Sequence, residues 1–140
     1  MRKDGYTMTE IIVVIIILGI IMTLAIPQMG GAIETGRSRE GVQILEAVLT
    51  AQRAYEFENT GIYFSNGADI SGLDVSFPPP ASFLPPVARA PAVGSGLSVA
   101  DITRSDGSYR LEVCEDGVIV CADLIGANCD KIGYDLTICL

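Results

Sequence analysis

The 140-residue chain contains no histidine and no tryptophan, and it has 9 basic residues against 17 acidic ones. Without histidine it lacks the commonest general base near neutral pH and the commonest metal ligand, which weighs against an enzyme. The formal net charge of −8 weighs against nucleic-acid binding, which needs a basic face to neutralise phosphates. Cysteine is missing until residue 114, and proline occurs once before residue 78. What the chain does have is grease. It is 49% hydrophobic with 19% charged residues, which excludes a disordered chain, and its length suits one domain, alone or with an appended element, and not two full domains.

The apolar residues are unevenly placed. Residues 11–33 carry no charge, and Ile11 to Leu18 reads IIVVIIIL. As a helix this stretch is about 34 Å long, enough to cross a bilayer core. A cleavable secretory signal fits poorly, because Thr23-Leu24-Ala25 is followed by Ile26 and Pro27 and an acid, Glu10, opens the segment. A plain anchor fits better: Arg2 and Lys3 hold the N-terminus in the cytoplasm and the acidic remainder lies outside. Glu10 is the anomaly. A carboxylate costs about 2.5–3.5 kcal/mol at the bilayer centre and less at the interface. Either it is hydrated at headgroup level, or it needs a cation. No Lys or Arg lies between Lys3 and Arg37, so the nearest local source is a new α-amino group, which cleavage between Gly5 and Tyr6 creates.

Those residues, MRKDG-YTMTEIIVVIIILGIIMTLAIPQ, resemble the start of a bacterial type IV pilin or type II secretion pseudopilin. The likeness covers about the first fifth of the chain: a short leader ending in Gly5, the aromatic Tyr6, Glu10 five residues after the cut, then Gly19 and Pro27 within the apolar run. Tyr6 stands for the commoner Phe, Thr9 for an apolar residue, and Asp4 makes the leader less basic. The resemblance implies that a prepilin peptidase cuts after Gly5, that Tyr6 is N-methylated, and that its amine pairs with Glu10 of a neighbouring subunit, fixing register in a filament. Removing Arg2, Lys3 and Asp4 takes the net charge from −8 to −9. It also implies that the helix loosens around Gly19 and Pro27 on assembly. The partners implied are the chain itself or minor pilins, the peptidase, an inner-membrane assembly platform, and the lipid bilayer before assembly. The location implied is the inner membrane with the head in the periplasm, then an extracellular filament or a periplasm-spanning pseudopilus.

Beyond Gly30, Gly31, Gly36 and Gly41, which read as a weak zone, helical spacing resumes. Val42, Leu45, Val48, Leu49, Ala51 and Tyr55 form the apolar face, and Arg39, Gln43, Glu46, Gln52, Arg53 and Glu56 the polar one. Asn59-Thr60-Gly61 ends the helix, which from Tyr6 is about 80 Å long if unbroken. Residues 62–96 read as an irregular surface loop rather than a polyproline ligand, with six of the seven prolines between Pro78 and Pro91. Short strands follow at Leu97–Thr103, Ser108–Cys114, Val118–Asp123 and Gly133–Cys139, joined by turns at Ser105-Asp106-Gly107 and Glu115-Asp116-Gly117. The expected class is α+β, a long helix on a C-terminal antiparallel sheet of three to four strands, as in the pilin fold. Its divisions are 1–5 leader, 6–33 membrane and filament-core segment, 34–61 amphipathic half, 62–96 loop and 97–140 sheet.

Cys114, Cys121, Cys129 and Cys139 are even in number and placed outside the cytoplasm, so disulfides outrank zinc, for which no close CxxC pair exists. Three pairings are open. The string CDKIGY, similar to one near the ends of related pilins, favours Cys121–Cys129, leaving a Cys114–Cys139 bridge between a strand end and the terminal strand. No cofactor is expected. Calcium is the one candidate, because some pseudopilins bind it in their C-terminal loops and Asp123, Asn128 and Asp130 bracket a turn; turn formation also accounts for them. No catalytic residues or metal site are expected, and the reading is a structural pilin. A type II secretion pseudopilin is the alternative within the family, and a single-pass anchored extracytoplasmic binding domain the alternative outside it.

Overall fold

The computed structural model describes residues 6–67, 69–91, 97–126, 128–134 and 139, with the backbone alone over 24–29. Helix α1 covers Met8–Glu58, and strands β1 (Val87–Ala88), β2 (Ser98–Thr103), β3 (Tyr109–Cys114) and β4 (Ile119–Asp123) precede a short helix α2 (Cys129–Ile132). The class is α+β with a pilin-like order of elements. The chain divides into two units, 1–33 and 34–140.

In the first unit every described Ile, Val, Leu and Met side chain from Ile11 to Met22 is 49–61% exposed. The backbone is helical through Gly19 and residue 27, and a methyl group added at Gly19 would touch nothing within 4 Å. Among the described residues no helix is long and apolar enough to cross a membrane. The span expected over 6–33 includes residues 24–29, so the side chain of Pro27 lies outside the described residues.

The second unit has an ordinary core. Ile44, Leu45, Val48, Leu49 and Ala51 recur at three- and four-residue spacing on α1 and are buried against Val99, Ile102, Tyr109, Leu111, Val113 and Cys121. Each large aliphatic so buried is worth about 1.5–3 kcal/mol. Two features differ from the sequence reading. Gly41 belongs to the contact, since a Cβ there would sit 2.9 Å from the Phe83 ring and 3.1 Å from Leu111. Gln52, assigned to the polar face, is fully buried. Its Nε2 donates to the carbonyls of Phe64 (2.9 Å), Val99 (3.0 Å) and Arg89 (3.3 Å), while its Oε1 accepts from the Phe64 N–H (3.0 Å). A primary amide satisfied on both ends is compatible with burial, whereas an unpaired one is not.

The sheet is antiparallel in the order β1-β2-β3-β4. In β3, Tyr109, Leu111 and Val113 face the helix and are buried, while Arg110 and Glu112 alternate outward. Both hairpin turns use an Asx device: Asp106 Oδ1 accepts from the Ser108 N–H and Asp116 Oδ1 from the Val118 N–H, each at 2.9 Å. Gly107 and Gly117 take the positive φ that closes these turns.

Two strand expectations change. The fourth strand is Val87–Ala88, inside the stretch read as wholly irregular; it is an edge strand, where flanking prolines remove no ladder bond that the sheet needs. That loop also contributes to the core through Phe83 and Leu73, 4% and 5% exposed. At the other end, Gly133 caps α2 with a left-handed backbone and Tyr134 is not in a strand. Residues 135–138 of the expected last strand lie outside the described residues.

Candidate functional site

The chain turns into helix at Thr7, and it does so with a reciprocal pair of side chains. Glu10 Oε2 accepts from the Thr7 backbone N–H (2.8 Å) and the Thr7 hydroxyl (2.7 Å), while Thr7 Oγ1 accepts from the Glu10 N–H at 3.3 Å. This is a capping box, T-x-x-E ahead of an apolar run, which satisfies donors that a helix start leaves orphaned. The signal is present in the sequence, where the cost of a charge near lipid points instead to headgroup water or a cation. As described, Glu10 is exposed and held by hydrogen bonds at the positive end of the helix dipole. The nearest basic side chain after it along the described chain is Arg37. Tyr6 is 84% exposed, and residues 1–5, with the expected cleavage position at Gly5, lie outside the described residues.

A second polar constellation opens the second unit. Glu34 Oε1 accepts from Arg104 Nε (2.8 Å) and the Tyr109 hydroxyl (2.9 Å), and its Oε2 from Arg37 Nη1 (3.2 Å). Arg104 also donates to the Ser82 carbonyl and to Ser105 Oγ (3.0 Å), and its guanidinium lies 5.9 Å from the centre of the Phe83 ring. Burial alone raises the Glu34 carboxyl; the bonds from Arg104, Tyr109 and Arg37 and the Arg104 charge outweigh it, so the group sits below its ordinary value. The same burial, with the bond to Glu34, pushes the Tyr109 phenol up. The sequence pattern did not point to this network, because its members are separated by about 70 positions.

The four cysteines form two bridges, Cys114–Cys139 and Cys121–Cys129, with Cα atoms 5.4 and 5.8 Å apart. The first ties the end of β3 to the C-terminus and the second ties β4 to the start of α2. Asp123, a candidate calcium ligand, braces the turn: its Oδ1 accepts from the N–H groups of Asn128 (2.8 Å) and Cys129 (3.0 Å). Asn128 in turn donates to the Ile125 carbonyl (2.6 Å) and accepts from Lys131 Nζ (3.0 Å). Among the described residues no three His, Cys, Asp or Glu side chains are grouped to hold a metal.

Tyr6, Glu10 and the start of the apolar run lie in a stretch that one family model matches. Residues 1–26 match the model of a prokaryotic N-terminal methylation motif. Gly5, Tyr6, Thr7, Glu10 and Gly19 all fall inside this motif, the leader type of pilins and pseudopilins, and Pro27 stands one position beyond it. The chain is also 34% identical over 58 residues to the type II secretion system core protein G of Aeromonas hydrophila. That likeness covers 41% of each protein, so the chain spans about two fifths of this relative. No solved structure matches the chain.

Proposed function

We propose that this chain is a pilin-like structural subunit: an inner-membrane precursor that is cut after Gly5, N-methylated at Tyr6 and polymerised through its N-terminal helix. The observation that carries this reading is the methylation motif over residues 1–26. The exposed apolar side chains from Ile11 to Met22 support it, because they need either lipid or other helices around them. In the assembled state the amine of Tyr6 takes over the Glu10 carboxylate that Thr7 holds in the isolated chain. Glycine at residue 19 serves no packing need among the described residues, which suits a stretch of helix that loosens between neighbours. Pro27 acts in the same direction by removing one helical hydrogen bond.

Two settings share this chemistry, a type IV pilus and a type II secretion pseudopilus. The likeness to a secretion-system core protein favours the second. The head, with its two disulfides and acidic surface, forms the outside of the polymer in either setting.

Intact mass of the protein extracted from cells carrying a prepilin peptidase tests the reading. Loss of Met1 to Gly5, with or without one methyl on Tyr6, is the expected result; an uncut N-terminus sinks it. In the same cells Glu10→Ala is expected to leave membrane insertion intact and to remove sheared filaments. Filaments on the cell surface or confined to the envelope then separate the two settings.

A further inference from the structure

Along the second unit, α1 turns one stripe to solvent: Arg39, Gln43, Glu46, Thr50, Arg53 and Phe57 are all exposed. The two ends of this stripe are chemically opposite. At one end stand Arg37 and Arg39; at the other, the last turn of α1 holds two glutamates and no basic residue, and Glu115 lies beside it. A helix C-terminus carries partial negative charge of its own and prefers cations, yet its last turn supplies none, and Arg53, a turn earlier, gives its Nη2 to the Glu115 carbonyl (2.9 Å) and not to a carboxylate. Phe57 stands in the middle of it, 91% exposed, with Ile62 62% exposed nearby in sequence. Phe57 flanks a recess shared with Arg53, Glu56, Tyr63 and Glu115, in which the Tyr63 hydroxyl donates to Glu115 at 3.2 Å. Among the described residues neither Arg39 nor Glu58 engages its side chain in a hydrogen bond or ion pair.

We propose that this stripe is a head-to-tail docking surface for a second copy of the chain, in which Arg39 of one copy seats on Phe57 and Glu58 of the next. This rests on the self-assembling reading above. Eighteen residues separate Arg39 from Phe57, which is five turns at about 3.6 residues each, so both point the same way and lie about 27 Å apart along the helix. A parallel copy set beside the first, turned by about half a revolution about the helix axis and displaced by that distance along it therefore brings its guanidinium to face the exposed ring. There it finds a cation–π face and an unpartnered carboxylate, the two things an arginine binds best. The reverse charge order at the two ends makes the contact self-complementary in a repeating, open-ended sense, the geometry that builds filaments rather than closed dimers. Anionic lipid and nucleic acid are excluded as occupants of the Phe57 end by its acidic rim.

The test uses the full chain in cells that process and assemble it. Charge reversal by Arg39→Glu is expected to lower sheared-filament yield by about tenfold, and Glu58→Arg likewise. The double variant is expected to restore yield to within about twofold of the natural chain. Because neither side chain has a partner among the described residues and a cation suits the end of α1, none of the three variants should lower the thermal midpoint of the head by more than about 2 °C. A photo-reactive benzoylphenylalanine in place of Phe57 should crosslink to residues 34–43 of a second copy, read by mass spectrometry of the adduct. Unchanged yields, no recovery in the double variant, or an adduct elsewhere on the chain or on another protein overturns the proposal. Processed natural chain that never polymerises sinks the filament reading and this one together. Polymerising natural chain with insensitive variants sinks only this one.

Discussion

The two units of this chain use the same aliphatic residues to opposite ends. From Ile11 to Met22 the large apolar side chains are about half exposed, while from Ile44 onward Leu45, Val48, Val99 and Leu111 are sealed completely. The polar groups follow suit. Glu10 is held by the residue that starts its own helix, whereas Glu34 is held by an arginine and a tyrosine far along the sequence. One unit is finished by contacts inside the chain, and on the proposed reading the other takes its cover from lipid or neighbouring helices. Burying an isoleucine is worth about 1.5–3 kcal/mol wherever the cover comes from, so the first unit stores a driving force that the second has already spent.

The strongest way to sharpen that contrast is to remove the covalent ties, which exist only in the second unit. On a chain-entropy estimate the Cys114–Cys139 bridge, closing 25 positions, contributes about 3.5 kcal/mol and the Cys121–Cys129 bridge, closing 8, about 2.5 kcal/mol. Replacing all four cysteines with serine should lower the denaturant midpoint of the head by an amount consistent with that sum. Helical circular dichroism from the first unit in detergent should persist. A full loss of helix on reduction would show that the two units stand or fall together.

Next in size is the Glu34 network. Glu34→Gln leaves Arg104 buried with its charge unpaired, which should cost about 3 kcal/mol in chemical denaturation. It should also flatten the acid side of the stability curve. The folded carboxyl lies below its ordinary value of 4.5, so its contribution is complete above that value and is lost as pH falls through the lower folded one. The natural chain should therefore lose stability on acidification below about pH 4.5 more steeply than Glu34→Gln. Equal slopes would remove Glu34 from the account.

How much of this was legible follows from distance along the chain. The strands β2, β3 and β4, their Asx-Gly turns and the apolar face of α1 depend on neighbours within a few positions, and local pattern located them to within a residue or two. Gln52 was misplaced because its partners Phe64, Arg89 and Val99 come from three separate segments, and only their convergence makes a buried amide affordable. β1 escaped notice because prolines surround it and two residues show no alternation. The Thr7–Glu10 box is local and legible as T-x-x-E, but the cost of a charge near lipid points toward headgroup water or a cation and away from the neighbouring hydroxyl.

Gly41 is the case where a local rule pointed the wrong way. A glycine inside a helix reads as a weak point worth about 1 kcal/mol against alanine. Here the sheet presses on that face so closely that Gly41→Ala forces the Phe83 ring and Leu111 to move, and overpacking of this kind costs about 1–3 kcal/mol. The substitution should destabilise the head despite alanine's better helix propensity. The same change at Gly19, where a methyl meets nothing, should stabilise its helix, and the opposite signs restate the contrast between the units at two glycines.

The smallest expected effect is at Thr7. Thr7→Ala removes the hydroxyl that both donates to Glu10 and accepts from its N–H, leaving one backbone bond of the box. Loss of such a cap costs about 1 kcal/mol. Amides of the first turn after Met8 should then exchange about fivefold faster in detergent, while protection of the core amides around Leu45 and Leu111 stays the same. Thr7→Ser should keep the protection, since the serine hydroxyl can make both bonds. If Thr7→Ala also freed the core amides, the first unit would be supporting the second, and the division between a self-sufficient head and an unfinished helix would fail at its smallest test.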